Sequence, residues 1–300
     1  MSTVKADIIR PVSGTPGDNT SVDVNGCKIY GKDVGLRSIA FGNSMGALNP
    51  TGISAEVIHI GFNIFKTPNP SAPNFPQTIA IGAEIVDSSV ISGVAQSIFI
   101  GQEIGRNLTT GTDNILLGYQ SGSALGGTSS NNVMVGSQSG KALTSGNSNV
   151  FLGMSAGYTA TSGNNNIIIG GGATAATATS SDSITLGNSS HTVIRAAVTS
   201  ITSLSDARDK TNVEESTYGL DLVNSLKPVT FEWDTRDGAK KGVKDLGFIA
   251  QDLKELDDEH LGLVYDENPE KLEASYGRLI PVLVKAIQDL SKEVKQLKSK

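Results

Sequence analysis

The chain has 300 residues, a net charge of −6, one cysteine and only 5% aromatic residues. One cysteine excludes an internal disulfide, and no run approaches the ~18 apolar residues of a membrane-spanning helix. With 34 glycines and so few rings, a large conventional globular core is not expected, and the acidic balance argues against nucleic acid as a partner.

The opening residues, MSTVKADIIRPVSG, lack the basic start and apolar run of a secretion signal, so folding in a cytoplasm is the expectation. Residues 1–35 read as short strands, ADIIRPVSG and SVDVNGCKIYG, with turns at Gly14–Gly17 and Asn25–Gly26. This segment is expected to cap the next region or attach it to a larger structure. Cys27 reads as a small buried hydrophobe.

A repeat follows. SIAFG ends at Gly42, VIHIG at Gly61, TIAIG at Gly82, SIFIG at Gly101 and NILLG at Gly118; NVMVG, NVFLG, NIIIG and SITLG end at Gly136, Gly153, Gly170 and Gly187. The glycines lie 17 to 21 residues apart, a period that predicts a solenoid of stacked strands. The residues three and one before each glycine are always apolar, as in Ile39 and Phe41, and are expected to line the inside. The variable residue between them, from Ala40 and His59 to Ile168 and Thr185, is expected to face outward and to demand neighbouring copies. Asn114, Asn132, Asn149 and Asn166 share one repeat position and predict an asparagine ladder between coils. The proline-rich stretch KTPNPSAPNFPQ, 66–77, reads as a loop thrown out from the rod and a candidate for receptor contact.

These units, with continuations such as GYQSG and GMSAG, resemble the head repeats of trimeric autotransporter adhesins, and similar repeats occur in phage tail fibres. The resemblance covers about residues 36–190 and implies a trimeric parallel β-roll.

At Ser205 the composition changes. Residues 1–204 hold 28 glycines and 19 charged side chains; residues 205–300 hold 6 and 35. Beyond the junction the pattern is mixed α/β. TYGLDLVNSLKP reads as a short helix stopping at Lys227, VTFEWD as an alternating strand, DTRDGAKKG as a hairpin loop, VKDLGFIAQDLKEL as strand then helix, and LGLVYD as a strand. A long last helix is predicted from about Ala274 to Lys300. Tyr276, Ile280, Leu283, Ile287, Leu290, Val294 and Leu297 form its heptad seam, for self-association or for docking on the domain itself. The fold class is therefore mostly β: a Gly-containing β-roll or solenoid, then a small α+β domain with a long C-terminal helix. The three regions are 1–35, 36–204 and 205–300.

The junction carries SDARDKTNV, residues 205–213, with a serine and a lysine five residues apart. Alone, that spacing is a weak signal. Together with LKPVTFEW at 226–233, LGFIAQDL at 246–253 and LIPVLVKAIQDL in the last helix, it resembles the endosialidase-type intramolecular chaperone of phage tailspikes and tail fibres. The resemblance spans 205–300, and Asp209 stands where an apolar residue is also common. It implies a domain that trimerises, guides three chains into one fibre and cuts itself off. Carried onto this chain, the scissile bond is Leu204–Ser205, the nucleophile Ser205 and its base Lys210, with Asp206 and Arg208 either supporting the loop or pairing together. The implied protein is a homotrimeric phage tail fibre, made in the host cytoplasm and carried in the virion. Its expected partners are tail or baseplate proteins and a host surface receptor, glycan or protein. No cofactor, metal, nucleic acid or membrane insertion is expected. His59, His191 and His260 show no metal-ligand spacing. The competing reading is a trimeric surface adhesin whose C-terminal domain trimerises without cutting. A membrane-tethered transcription factor with the same chaperone type would need a basic domain and a span, and the sequence offers neither.

Overall fold

The computed structural model describes residues 20–24, 27–31, 38–43, 57–65, 77–88, 93–197 and 201–300, the first three segments as strand backbone. The proline-rich loop and the turns expected at 14–17 and 25–26 lie outside the described residues. Two compact units divide between Asn188 and Ser189.

The first unit is a parallel β-solenoid. Thr20–Val24 pairs antiparallel with Cys27–Gly31, which pairs antiparallel with Ser38–Asn43. From there every glycine-ending unit supplies one strand, each parallel to the next, through to Ile184–Leu186. The register runs glycine on glycine, Gly61 on Gly82 on Gly101 on Gly118. The reason is steric. Gly82 has φ +139°, and a Cβ there would lie 1.7 Å from the carbonyl oxygen of Gly101.

The facing of the strands is the reverse of the sequence expectation. The variable middle residues Ala80, Phe99, Leu116, Met134, Phe151 and Ile168 are fully buried. Ile58, Ile60, Ile100, Ile169, Ile184 and Leu186, from the flanking positions, are exposed. The asparagines explain this. Each sits two residues before a middle residue, so alternation puts both on one face, and all four are buried. Nδ2 of Asn132, Asn149 and Asn166 each donates to Oδ1 of the asparagine one turn earlier at 3.1 Å. The same Oδ1 atoms accept from the backbone N–H groups of Asn132, Asn149 and Asn166. Ser183 closes the far end, its Oγ donating to Asn166 at 2.8 Å. Leu108, Leu125 and Leu143, from the segments between the stacked strands, belong to the same buried cluster as the middle residues. Leu116, Leu125, Phe151 and Ala156 all belong to this one cluster.

The second unit is a small α+β arrangement. Helix α1 (Leu220–Ser225) ends ahead of Pro228, slightly earlier than expected. The strand Val229–Asp234 alternates half-buried and exposed residues, and pairs antiparallel with Lys241–Gly247. Helix α2 (Ala250–Lys254) follows, then a two-residue ladder of Val264–Tyr265 with Glu273–Ala274. That ladder delays the last helix. Residues 276–278 form a 3-10 turn, and α3 runs Leu279–Lys298 instead of starting near Ala274. Pro281 falls in the first turn of α3, where its missing N–H costs nothing. Leu253, Leu261, Leu263, Leu279 and Val282 make the core. Asp257 ties it together, its carboxylate accepting from the N–H groups of Leu263 and Val264 at 2.8 and 2.9 Å. The heptad seam does not dock on this core: Leu279, Val282 and Ala286 are buried, while Ile280, Leu283, Ile287, Leu290, Val294 and Leu297 stay exposed.

Candidate active site

The junction is extended and exposed around the expected bond. Residues 201–206 form no regular element, and Leu204 is 99% exposed. One 3-10 turn, Ala207–Asp209, then reverses the chain. Its N-cap is Asp206, whose carboxylate accepts from the backbone N–H of Arg208 at 2.9 Å. The Arg208 side chain folds onto the same carboxylate, with Nε at 3.0 Å and Nη2 at 2.6 Å. Hydrogen bonds from the side chain and backbone of Arg208 hold the Asp206 carboxyl below the usual carboxylate range. Asp206 and Arg208 are thus partners in a clamp that shapes the turn.

The turn delivers Lys210 back to its start. The backbone N–H of Lys210 donates to Ala207 O at 3.3 Å, after which the chain returns to extended geometry. Lys210 Nζ then lies 2.6 Å from Ser205 Oγ and 3.4 Å from Ser205 O. All four expected residues are therefore gathered in one turn, in two pairs. Ser205 and Lys210 are both exposed in the single chain. A lysine that contacts a serine hydroxyl can take its proton only as the neutral amine, a form favoured by burial.

Residues 205–262 match the family described as the chaperone of endosialidase, one classed among peptidases. The match starts at Ser205 and supports a chaperone domain in the C-terminal unit. No curated protein and no solved structure matches the chain.

Within the chaperone domain, three anchors escaped the sequence reading. Tyr218 OH donates to Asp258 at 2.6 Å, and that contact is the leading cause holding the Asp258 carboxyl below its usual range. Trp233 Nε1 donates to Asp245 across the hairpin at 3.0 Å. Tyr276 OH accepts from Phe248 N–H at 3.2 Å while the two rings pack edge to face. All three join a ring residue to a group 12 to 40 positions away; a strand or helix period carries no trace of such pairings.

Of the histidines, His59 belongs to the solenoid. It is buried, its Nε2 3.0 Å from Thr78 Oγ1, and burial lowers its pKa to about 4. No cluster of metal-ligating side chains occurs among the described residues, and none of their helices is long and apolar enough to cross a membrane.

Proposed function

We propose that this chain is the subunit of a homotrimeric, phage-type tail fibre whose chaperone domain cuts the Leu204–Ser205 bond once the trimer has formed. The observation that carries the reading is the 2.6 Å approach of Lys210 Nζ to Ser205 Oγ at the first residue of the chaperone match.

The chemistry follows from that pair. Lys210, as the amine, takes the hydroxyl proton as Oγ attacks the carbonyl carbon of Leu204. The C–N bond breaks, Lys210 returns the proton to the departing nitrogen, and the Leu204 acyl group is held as an ester on Ser205. Water hydrolyses the ester, leaving a carboxylate on Leu204 and a free amine and hydroxyl on Ser205. Burial of Lys210 between assembled copies would supply the desolvation that the exposed turn of one chain lacks, which ties cutting to assembly.

Support for the trimer is the apolar surface on both units. The solenoid shows two columns of Ile, Val and Leu on one sheet face, and α3 shows its heptad seam. Neighbouring copies would cover both. Guided assembly suits such a product, because intertwined parallel strands fold slowly and the finished assembly is held by a high unfolding barrier.

Expression of the full chain tests this. The reading expects two fragments, the smaller about one third of the mass with serine as its first residue by mass spectrometry. Ser205→Ala and Lys210→Ala should each leave the chain whole. Cutting that persists in both variants removes the dyad; a trimer that never cuts favours the surface-adhesin reading; a monomer by light scattering removes both.

A further inference from the structure

Between residues 77 and 188 the sequence has only two basic side chains, Arg106 and Lys141, and only two tyrosines, Tyr119 and Tyr158. Arg106, Lys141 and Tyr158 line one groove of about 440 Å³ on the solenoid. The convergence follows from the repeat. Asp87, Arg106, Ser123, Lys141 and Tyr158 each stand five residues after a repeat glycine, so the coils stack them in a column. Four steps of ~4.8 Å give that column a length of about 19 Å.

The opposite wall is a second column, two residues after each glycine. Glu103 and Gln120 hold left-handed backbone there, with φ of 57° and 55°. This geometry turns the chain after each strand and leads the fifth position out to the surface. The wall is cross-linked: Gln120 Nε2 donates to Glu103 Oε2 at 2.7 Å, and Gln138 Nε2 to Gln120 Oε1 at 3.3 Å. Arg106 lies 3.7 Å from the same Glu103 oxygen.

The groove is therefore polarised. One end carries Asp87 and Glu103. The other carries Lys141, which has no salt bridge among the described residues, with its Nζ 5.8 Å from the centroid of the half-exposed Tyr158 ring. A fixed polar wall, an exposed ring and a cation without a carboxylate partner suit a ligand that offers hydroxyls along its length, an apolar ring face and one anionic group. The groove lies beyond the strand glycine, off the apolar strand face proposed to meet neighbouring copies.

We propose that this groove binds a short acidic saccharide, its carboxylate on Lys141, a sugar face on Tyr158 and its hydroxyls against Glu103, Gln120 and Asp87. The site deepens the receptor-contact part of the fibre reading and is independent of self-cleavage. It gives the solenoid wall a ligand without calling on the proline-rich loop.

The experiment is retention of the full chain on an array of immobilised acidic and neutral oligosaccharides, with circular dichroism confirming the fold of each variant. Acidic members should be retained over neutral ones of equal length. Lys141→Ala and Tyr158→Ala should each weaken retention roughly tenfold or more. Lys141→Arg should restore it, and Arg195→Ala, an exposed cation elsewhere, should leave it unchanged. Failure to retain any acidic member overturns the proposal. So does retention that survives both alanine substitutions, or that falls equally with Arg195→Ala, because each would reveal a bulk charge effect. Uncut Ser205→Ala protein should bind as the parent does, so loss of cutting and loss of binding are separately readable.

Discussion

Among the described residues, the solenoid packs nineteen buried apolar side chains into one continuous cluster, whereas the cluster of the chaperone domain holds five. Among the described residues, the interior of the solenoid is closed by side chains of the one chain. Its buried asparagines, serines and histidine are hydrogen-bonded, and Thr110 Oγ1 is the one buried side-chain polar atom among the described residues with no partner. Both units leave apolar side chains in water, the solenoid along its strand face and the chaperone domain along α3. One unit draws its order from stacking like on like; the other sets a small core beside a long exposed apolar seam, the surface on which the proposed assembly rests.

A single added methyl group separates the two units most strongly. In the glycine column, Gly82→Ala puts a Cβ 1.7 Å from a backbone oxygen at φ +139°. The neighbouring coil cannot yield without losing its own register, so the expected loss exceeds ~4 kcal/mol, read as collapse of the thermal transition. In the chaperone domain, Gly277→Ala meets nothing within 4 Å and should move stability by less than ~0.5 kcal/mol. Equal effects at the two sites would end the claim that the units are stabilised differently.

Next in size is the ladder. Asn149→Ala removes an Oδ1 that accepts from both the backbone N–H and the side-chain amide of Asn166. Two buried donors lose their acceptor, for an expected cost of about 3 kcal/mol in denaturant unfolding. Asn164→Ala, an exposed ladder position that accepts from Asn147, should cost under ~1 kcal/mol.

A third test uses pH. His59 is held neutral by burial, with its pKa lowered to about 4 from 6.5. The unfolded chain therefore binds the extra proton first. Stability contributed by His59 is intact above pH 6.5, falls as pH drops and levels off below about 4, a total of about 3 kcal/mol. His59→Gln should flatten that part of the solenoid's stability–pH curve and leave the chaperone domain's curve unchanged.

The repeat spacing made the stacked strands and their glycine register legible, because a fixed period can be met only by like positions in contact. Facing was misread. With apolar residues at three successive positions, alternation alone does not say which side is in. The recurrent asparagine two places before the middle residue was the usable sign, since a polar ladder needs burial to hold its amides. At the junction, the S-x-x-x-x-K spacing says nothing about distance; the Asp206–Arg208 clamp and the 3-10 turn close it. The groove was invisible for a similar reason. Its column forms only if the second residue after each glycine is left-handed, and Glu and Gln do not advertise that conformation.

The smallest expected effect on the single chain is also the one that separates folding from assembly. Helix α3 carries two apolar stripes. Val282 is 3% exposed and packs into the chaperone core, whereas Ile287 is 68% exposed on the heptad seam. Val282→Ala should cost the domain roughly 1–2 kcal/mol in denaturant unfolding at high dilution, where association is absent. Ile287→Ala should change that same quantity by less than ~0.5 kcal/mol. At higher concentration the order should invert, with Ile287→Ala shifting the association midpoint upward and slowing any cutting at Leu204–Ser205. If Ile287→Ala instead destabilises the dilute chain as much as Val282→Ala does, the seam is part of the domain's own core, and the apolar surface of α3 no longer argues for a second copy.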